Sequence, residues 1–173
     1  MLTGPLPERV NHRKMVSDRT ILQGSIALNR FSRLVQLLES NQGNVQTRLE
    51  FKKIEKQALI VGEASVEVSL ICQACMKMLK YPMEIGFQQI LVNSNLALSQ
   101  LDQGQDGLIV EGELVELVDL IEDELIISLP MVSRHGEAEC ESEVELHKTS
   151  DEDVRDTHRP FAALSRMHED TDN

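Results

Sequence analysis

The chain has 173 residues, 41% hydrophobic and 27% charged, a length and balance that suit one domain with a real core. Aromatic residues make up only 3%, with no Trp and one Tyr, which argues against a single-strand reader built on many stacking rings. The net charge of −12 is unevenly spread: +3 over residues 1–40, +1 over 41–90 and −16 over 91–173, so a mildly basic front precedes a strongly acidic back.

Residues 1–19 read as a basic N-terminal arm, with Arg9, Arg13 and Lys14 along one side of a short helix. "TILQGSIAL" (20–28) reads as a strand. Asn29 then caps a helix in "RFSRLVQLLES", where Phe31, Leu34, Val35 and Leu38 form an apolar stripe at helical spacing. Turn chemistry in "NQGN" ends it. Three strand-like runs follow, over 45–54, 58–71 and 78–92. In the second, Ala64, Val66, Val68 and Leu70 alternate with Ser65, Glu67 and Ser69, a period of two. In the third, Tyr81, Met83, Ile85 and Phe87 share a face, and Pro82 marks an edge or an irregularity.

Residues 93–107 read as a polar loop and "LIV" (108–110) as a short strand. "LVELVDLIEDELIISLP" carries the strongest helix, with Leu114, Leu117, Val118, Ile121 and Leu125 on its apolar stripe and Glu116, Asp119, Glu122 and Asp123 elsewhere. Its carboxylates fit a solvated helix face better than a Mg²⁺ or acid/base site. After residue 141 the chain is acidic and polar, the composition of a disordered tail, interrupted by the apolar "RPFAAL" (159–164), a candidate docking segment. The expected organisation is an arm (1–19), a core domain (20–140) and an acidic tail (141–173).

Two of the three cysteines, Cys72 and Cys75, flank a two-residue gap at the tip of an expected hairpin. Three readings fit them: a metal site, a redox pair, or two ordinary thiols. The metal reading needs four ligands, and "RHGEAEC" offers His135 and Cys140, completing a Cys₃His set suited to one structural zinc ion. Met76 stands where zinc-binding turns often place Gly. The redox reading is weaker, because a strand rather than a helix follows the pair. Arg9, Arg13, Lys14, Arg30 and Arg33 are candidate RNA contacts, or ordinary surface charge. No apolar run reaches the roughly 18 residues of a membrane span, and the N-terminus lacks an apolar leader. An odd cysteine count without framework spacing fits a reducing cytoplasm.

"CQAC", then "VDLIEDELIISLPMVSRH" running into Cys140, then "RPFAAL" together resemble the YceD family of large ribosomal RNA subunit accumulation proteins, over about residues 20 to 165. Ala74 stands where relatives often carry a basic residue, and Arg159 where they often carry Asn. The resemblance implies a non-catalytic factor for synthesis, processing or stability of 23S rRNA in large-subunit biogenesis. Its partners would be large-subunit rRNA or its precursor, and a basic ribosomal protein or RNA-processing enzyme. The alternative is an adaptor that recruits such a protein without touching RNA. The expected fold is α+β: a mostly antiparallel sheet, two main helices and the acidic tail.

Overall fold

The computed structural model describes residues 2–4, 6–136 and 139–140. The expected acidic tail and its segment 159–164 lie outside the described residues. The fold is α+β, built on a six-stranded, mostly antiparallel sheet.

In chain order the elements are β1 (Leu2–Thr3), β2 (Arg9–Asn11), α1 (His12–Ser17), β3 (Ile21–Ala27), β4 (Asn44–Ile54), β5 (Gln57–Ile71), β6 (Met78–Val92), α2 (Asn95–Leu98), β7 (Asp106–Ile109), β8 (Leu114–Glu116) and α3 (Leu117–Ile127). Strand order in the large sheet is β1-β3-β4-β5-β6-β7, with β2 and β8 forming a separate antiparallel pair. β1 and β7 join parallel to β3 and β6; the inner pairings are antiparallel. Residues 1–19, read from sequence as an arm, supply β1, β2 and α1 to the same compact unit, which spans Met1–Glu141.

The period-two run in β5 lays Ile60, Ala64, Val66, Val68 and Leu70 on one buried face, beside Val45, Leu49 and Phe51 of β4 and Met83 of β6. Leu117, Leu120, Ile121 and Leu125 of α3 join the same core. Gly62 is required there: a methyl group on it would overlap the ring of Phe87, its cross-strand partner. Pro82 pairs across from Glu67 in the half of β6 that β7 does not reach. Its missing N–H therefore faces the unpaired edge.

Two expected helices differ in the structure. The stripe at residues 31–38 forms no continuous α-helix but single 3₁₀ turns, Leu28–Arg30 and Leu34–Leu37, with Phe31 and Leu34 fully buried. The backbone N–H groups of Arg33 and Leu34 donate to the Glu122 carboxylate of α3, at 2.6 and 3.0 Å. That acceptor lies across the core, so the segment packs against α3 in short turns. The acidic helix begins at Leu117. Leu114, placed on its stripe from sequence, lies in β8 and is exposed. Within the expected 93–107 loop, Ser94 caps the short α2 by accepting from the Ala97 N–H.

Candidate metal centre

β5 and β6 are joined by residues 72–77, and this connection is folded tightly. The Cys72 N–H donates to the Lys77 carbonyl at 2.9 Å, and the Met76 N–H to the Cys72 carbonyl at 2.9 Å. Met76 takes φ +58°, the left-handed conformation that a turn of this kind demands. The sequence has no Gly here, but the backbone adopts the shape Gly would favour. A Met76→Gly variant is therefore expected to be more stable by roughly 0.5–1 kcal/mol, because the left-handed strain outweighs the entropy Gly adds to the unfolded chain. Urea denaturation checks this; a less stable variant would show that Met76 packing matters more than its backbone.

After Pro130 the chain runs back alongside this connection. The Gln73 N–H donates to the Ser133 carbonyl at 2.8 Å, and the buried Ser133 hydroxyl donates to the Ile71 carbonyl at 2.7 Å. His135 Nε2–H donates to the Met78 carbonyl at 3.1 Å, which leaves the Nδ1 lone pair for the cluster. Nδ1 lies 3.4 Å from Cys75 Sγ. A turn at Gly136 closes with the Cys140 N–H donating back to the Gly136 carbonyl at 3.1 Å, and Cys140 Sγ stands 3.8 Å from Cys72 Sγ.

The four expected ligands, Cys72, Cys75, His135 and Cys140, thus converge, their ligand atoms all within 4.8 Å of one another. A tetrahedral zinc, bonded at about 2.3 Å to sulfur and about 2.0 Å to nitrogen, separates two sulfurs by about 3.8 Å and a sulfur from a nitrogen by about 3.5 Å. The donor set and both separations fit that geometry. All three cysteines are free thiols.

Electrostatics favours a metal ligand. The Cys72 thiol is pushed down to about 5, chiefly because the Cys75 N–H donates to it; burial opposes this, while the N–H groups of His135 and Ala74 reinforce it. At neutral pH it is a thiolate, the form that binds metal. At Cys75 the Lys77 N–H favours the thiolate, but burial and the neighbouring Cys72 and Cys140 outweigh it and hold the thiol above its usual range. A cation among the sulfurs would relieve that repulsion.

The expected RNA contacts do not cluster in this way. Arg9 pairs with Glu116, and Arg30 with Glu8. Arg33 binds Glu122 at 2.8 Å and Asp123 at 2.6 Å. Arg13 shares Glu113 at 3.6 Å with both side chains exposed. Among the described residues Lys14 has no carboxylate partner, and neither do Lys52, Lys53 and Lys56, which the sequence reading passed over. The "KKIEK" run around the β4–β5 turn was the available signal for them.

A family model described as "Large ribosomal RNA subunit accumulation protein YceD" matches residues 60–168, a span that contains all four cluster residues. The chain belongs to the YceD family. One curated relative, "Large ribosomal RNA subunit accumulation protein YceD" of Haemophilus influenzae, is 27% identical over 168 residues, covering 94% of this chain and 95% of that protein. No solved structure matches. The YceD model therefore covers β5 from Ile60 onward, β6, α3 and the four cluster residues.

Proposed function

We propose that this YceD-family chain is a non-catalytic cytoplasmic factor in the synthesis, processing or stability of 23S rRNA during large-subunit biogenesis. The observation that carries this reading is the near end-to-end match to the Haemophilus protein named for large ribosomal RNA accumulation. In this reading Cys72, Cys75, His135 and Cys140 hold one structural zinc that ties the β5–β6 connection to the segment after α3. RNA contacts fall first to Arg13, whose exposed pair with Glu113 is long, and to Lys14, which has no carboxylate partner among the described residues, ahead of Arg9, Arg30 and Arg33, which each hold a carboxylate more closely. The acidic residues beyond 141 keep the factor from being trapped on RNA, or draw in a basic ribosomal protein. No helix of the described residues is long and apolar enough to cross a membrane.

Cells depleted of the protein are expected to show a lower ratio of 23S to 16S rRNA and more 23S precursor. Unchanged ratios would overturn the proposal. A second reading, the adaptor, is favoured by exposed methionines beside the cluster: Met76, Met78 and Met131 are 72%, 60% and 96% exposed. Methionine surfaces suit adaptable protein contacts. Salt titration separates the two: direct phosphate contact requires affinity for rRNA fragments to fall steeply with salt, whereas an adaptor binds no fragment directly.

A further inference from the structure

A cleft of about 470 Å³ lies at the other end of β5 and β6 from the cysteine cluster. Its volume falls within the range of small-ligand pockets. Two chain segments give it an unusual charge for so acidic a protein. His12 and Arg13 enter from the start of α1, and Lys56 from the two-residue turn that joins β4 to β5. That turn is tight, with Glu55 at φ +53°, so Lys56 is presented at its tip. Among the described residues no carboxylate lines the cleft. Three other surface clefts do carry them: Glu63 and Glu84 in one, Glu111 and Asp119 in a second, Glu84 in a third. Four carboxylates, Glu55, Asp102, Glu111 and Glu113, adjoin lining residues in sequence without themselves lining the cleft; Glu113 is held by Arg13 at 3.6 Å and by the Asn11 amide at 3.0 Å. An exposed ion pair of that length contributes little, so an incoming anion competes with it readily.

The rest of the lining is of two kinds. Gln57, Asn93 and Gln100 supply amide donors and acceptors. Ile90, Leu91, Ala97, Leu101 and Val110 supply an apolar floor, with Ile90 and Val110 buried. Gly107 lets that floor pack closely: a methyl group on it would meet the side-chain ends of Leu98 and Leu101, which would have to shift. Exposed cations and amides together with an apolar floor match the parts of one nucleotide: phosphate, base edge and base face.

We propose that this cleft binds a single unstacked nucleotide of an RNA strand, its phosphate on Arg13 and Lys56 and its base against Leu91, Ala97 and Leu101. The proposal deepens the rRNA reading above and rests on it for the source of the strand. A base paired in a duplex cannot reach such a floor, so the ligand is single-stranded. The absence of stacking rings implies modest affinity per base. A base with a 5′-phosphate could also come from a free nucleotide, and the test separates the two sources.

Fluorescence anisotropy with the full-length protein and a labelled 12-nucleotide single-stranded RNA of mixed sequence tests this. The same strand in a duplex, and adenosine 5′-monophosphate followed by amide shifts, are the comparators. The single strand is expected to bind at least roughly ten-fold more tightly than either. Arg13→Ala with Lys56→Ala should weaken it by about ten-fold and flatten the salt dependence by about 0.7 in log–log slope, the worth of the one phosphate they share. Ala97→Phe, which fills the floor, should weaken the strand without changing that slope; Arg48→Ala, outside the cleft, should change nothing.

Strand binding that survives both cleft variants would overturn the cleft while leaving the rRNA reading intact. Equal affinity for the monophosphate and the strand would overturn the strand as ligand, and duplex binding as tight as the single strand would overturn the unstacked base. Strand binding lost in the cleft variants, with 23S ratios unchanged in depleted cells, would uphold the cleft and overturn the rRNA reading.

Discussion

Protein purified without chelators is expected to carry one equivalent of zinc, and removing it should lower the thermal midpoint by roughly 10 °C. The cluster joins chain regions 60 to 68 residues apart, so a metal there crosslinks the folded state much as a disulfide would. Without it, the charge that Cys72 carries at neutral pH opposes ionisation of the neighbouring Cys75, so the full set of thiolate ligands is not reached. Cys72→Ser should show the same loss and no further loss on chelation, which separates metal loss from simple packing. The unit also has its own sheet core, so the apo protein is expected to keep its strand signal in circular dichroism while the segment after α3 gains protease sensitivity. Zinc well below one equivalent in such preparations, or a midpoint unmoved by chelators, would sink the metal centre.

Replacing Glu122 with alanine is expected to cost about 3 kcal/mol, the range for breaking a buried, hydrogen-bonded charge. Glu122 is 2% exposed, although it sits on a helix rich in solvated acids. Its carboxylate accepts from the Arg33 N–H at 2.6 Å, the Leu34 N–H at 3.0 Å and Arg33 Nε at 2.8 Å. The variant strands two backbone donors beside the fully buried Leu34. Glu84→Ala, at an exposed position on β6, should change stability by less than about 0.5 kcal/mol.

The pH dependence has a definite sign. Burial works to raise the Glu122 pKa, but the Leu34 N–H and the Arg33 side chain and N–H overcome it and hold the carboxyl below its usual range. Its contribution is therefore complete above the ordinary carboxylate range and fades as pH falls through the depressed folded value. The gap in urea midpoint between wild type and the alanine variant should narrow in acid. A gap constant down to the lowest pH at which both fold would show that the carboxylate is not held as an ion.

The sequence made the strands legible. Alternation over Ala64 to Leu70 is a strictly local signal, set by the two-residue repeat of a pleated strand, and it named the buried face of β5 correctly. The burial of Phe31 and Leu34 was also legible, because apolar residues at helical spacing seek a core in almost any conformation. Their 3₁₀ geometry was not, since it depends on an acceptor 88 and 89 residues away. Glu122 was misread as surface for the same reason: its neighbours in sequence are acidic, and its partner Arg33 is adjacent only in space.

The cysteine cluster divides along the same line. Residue types alone determined that Cys72, Cys75, His135 and Cys140 form a competent donor set, because soft and borderline ligands in that ratio suit zinc. Only the tertiary structure decided that they meet. The Ser133 and Gln73 bonds to the β5–β6 connection bring the second pair to the first, and Met76 accepts a left-handed backbone that its side chain gives no hint of. Charge shows the contrast most directly. Counting residues located the basic front, but pairing across the fold decided which cations stay free. Arg9, Arg30 and Arg33 are engaged by carboxylates distant in sequence, while Lys14 and Lys56 have no carboxylate partner among the described residues. Composition is a property of the chain, whereas ion pairing and metal geometry exist only once remote segments are held within a few ångströms of each other.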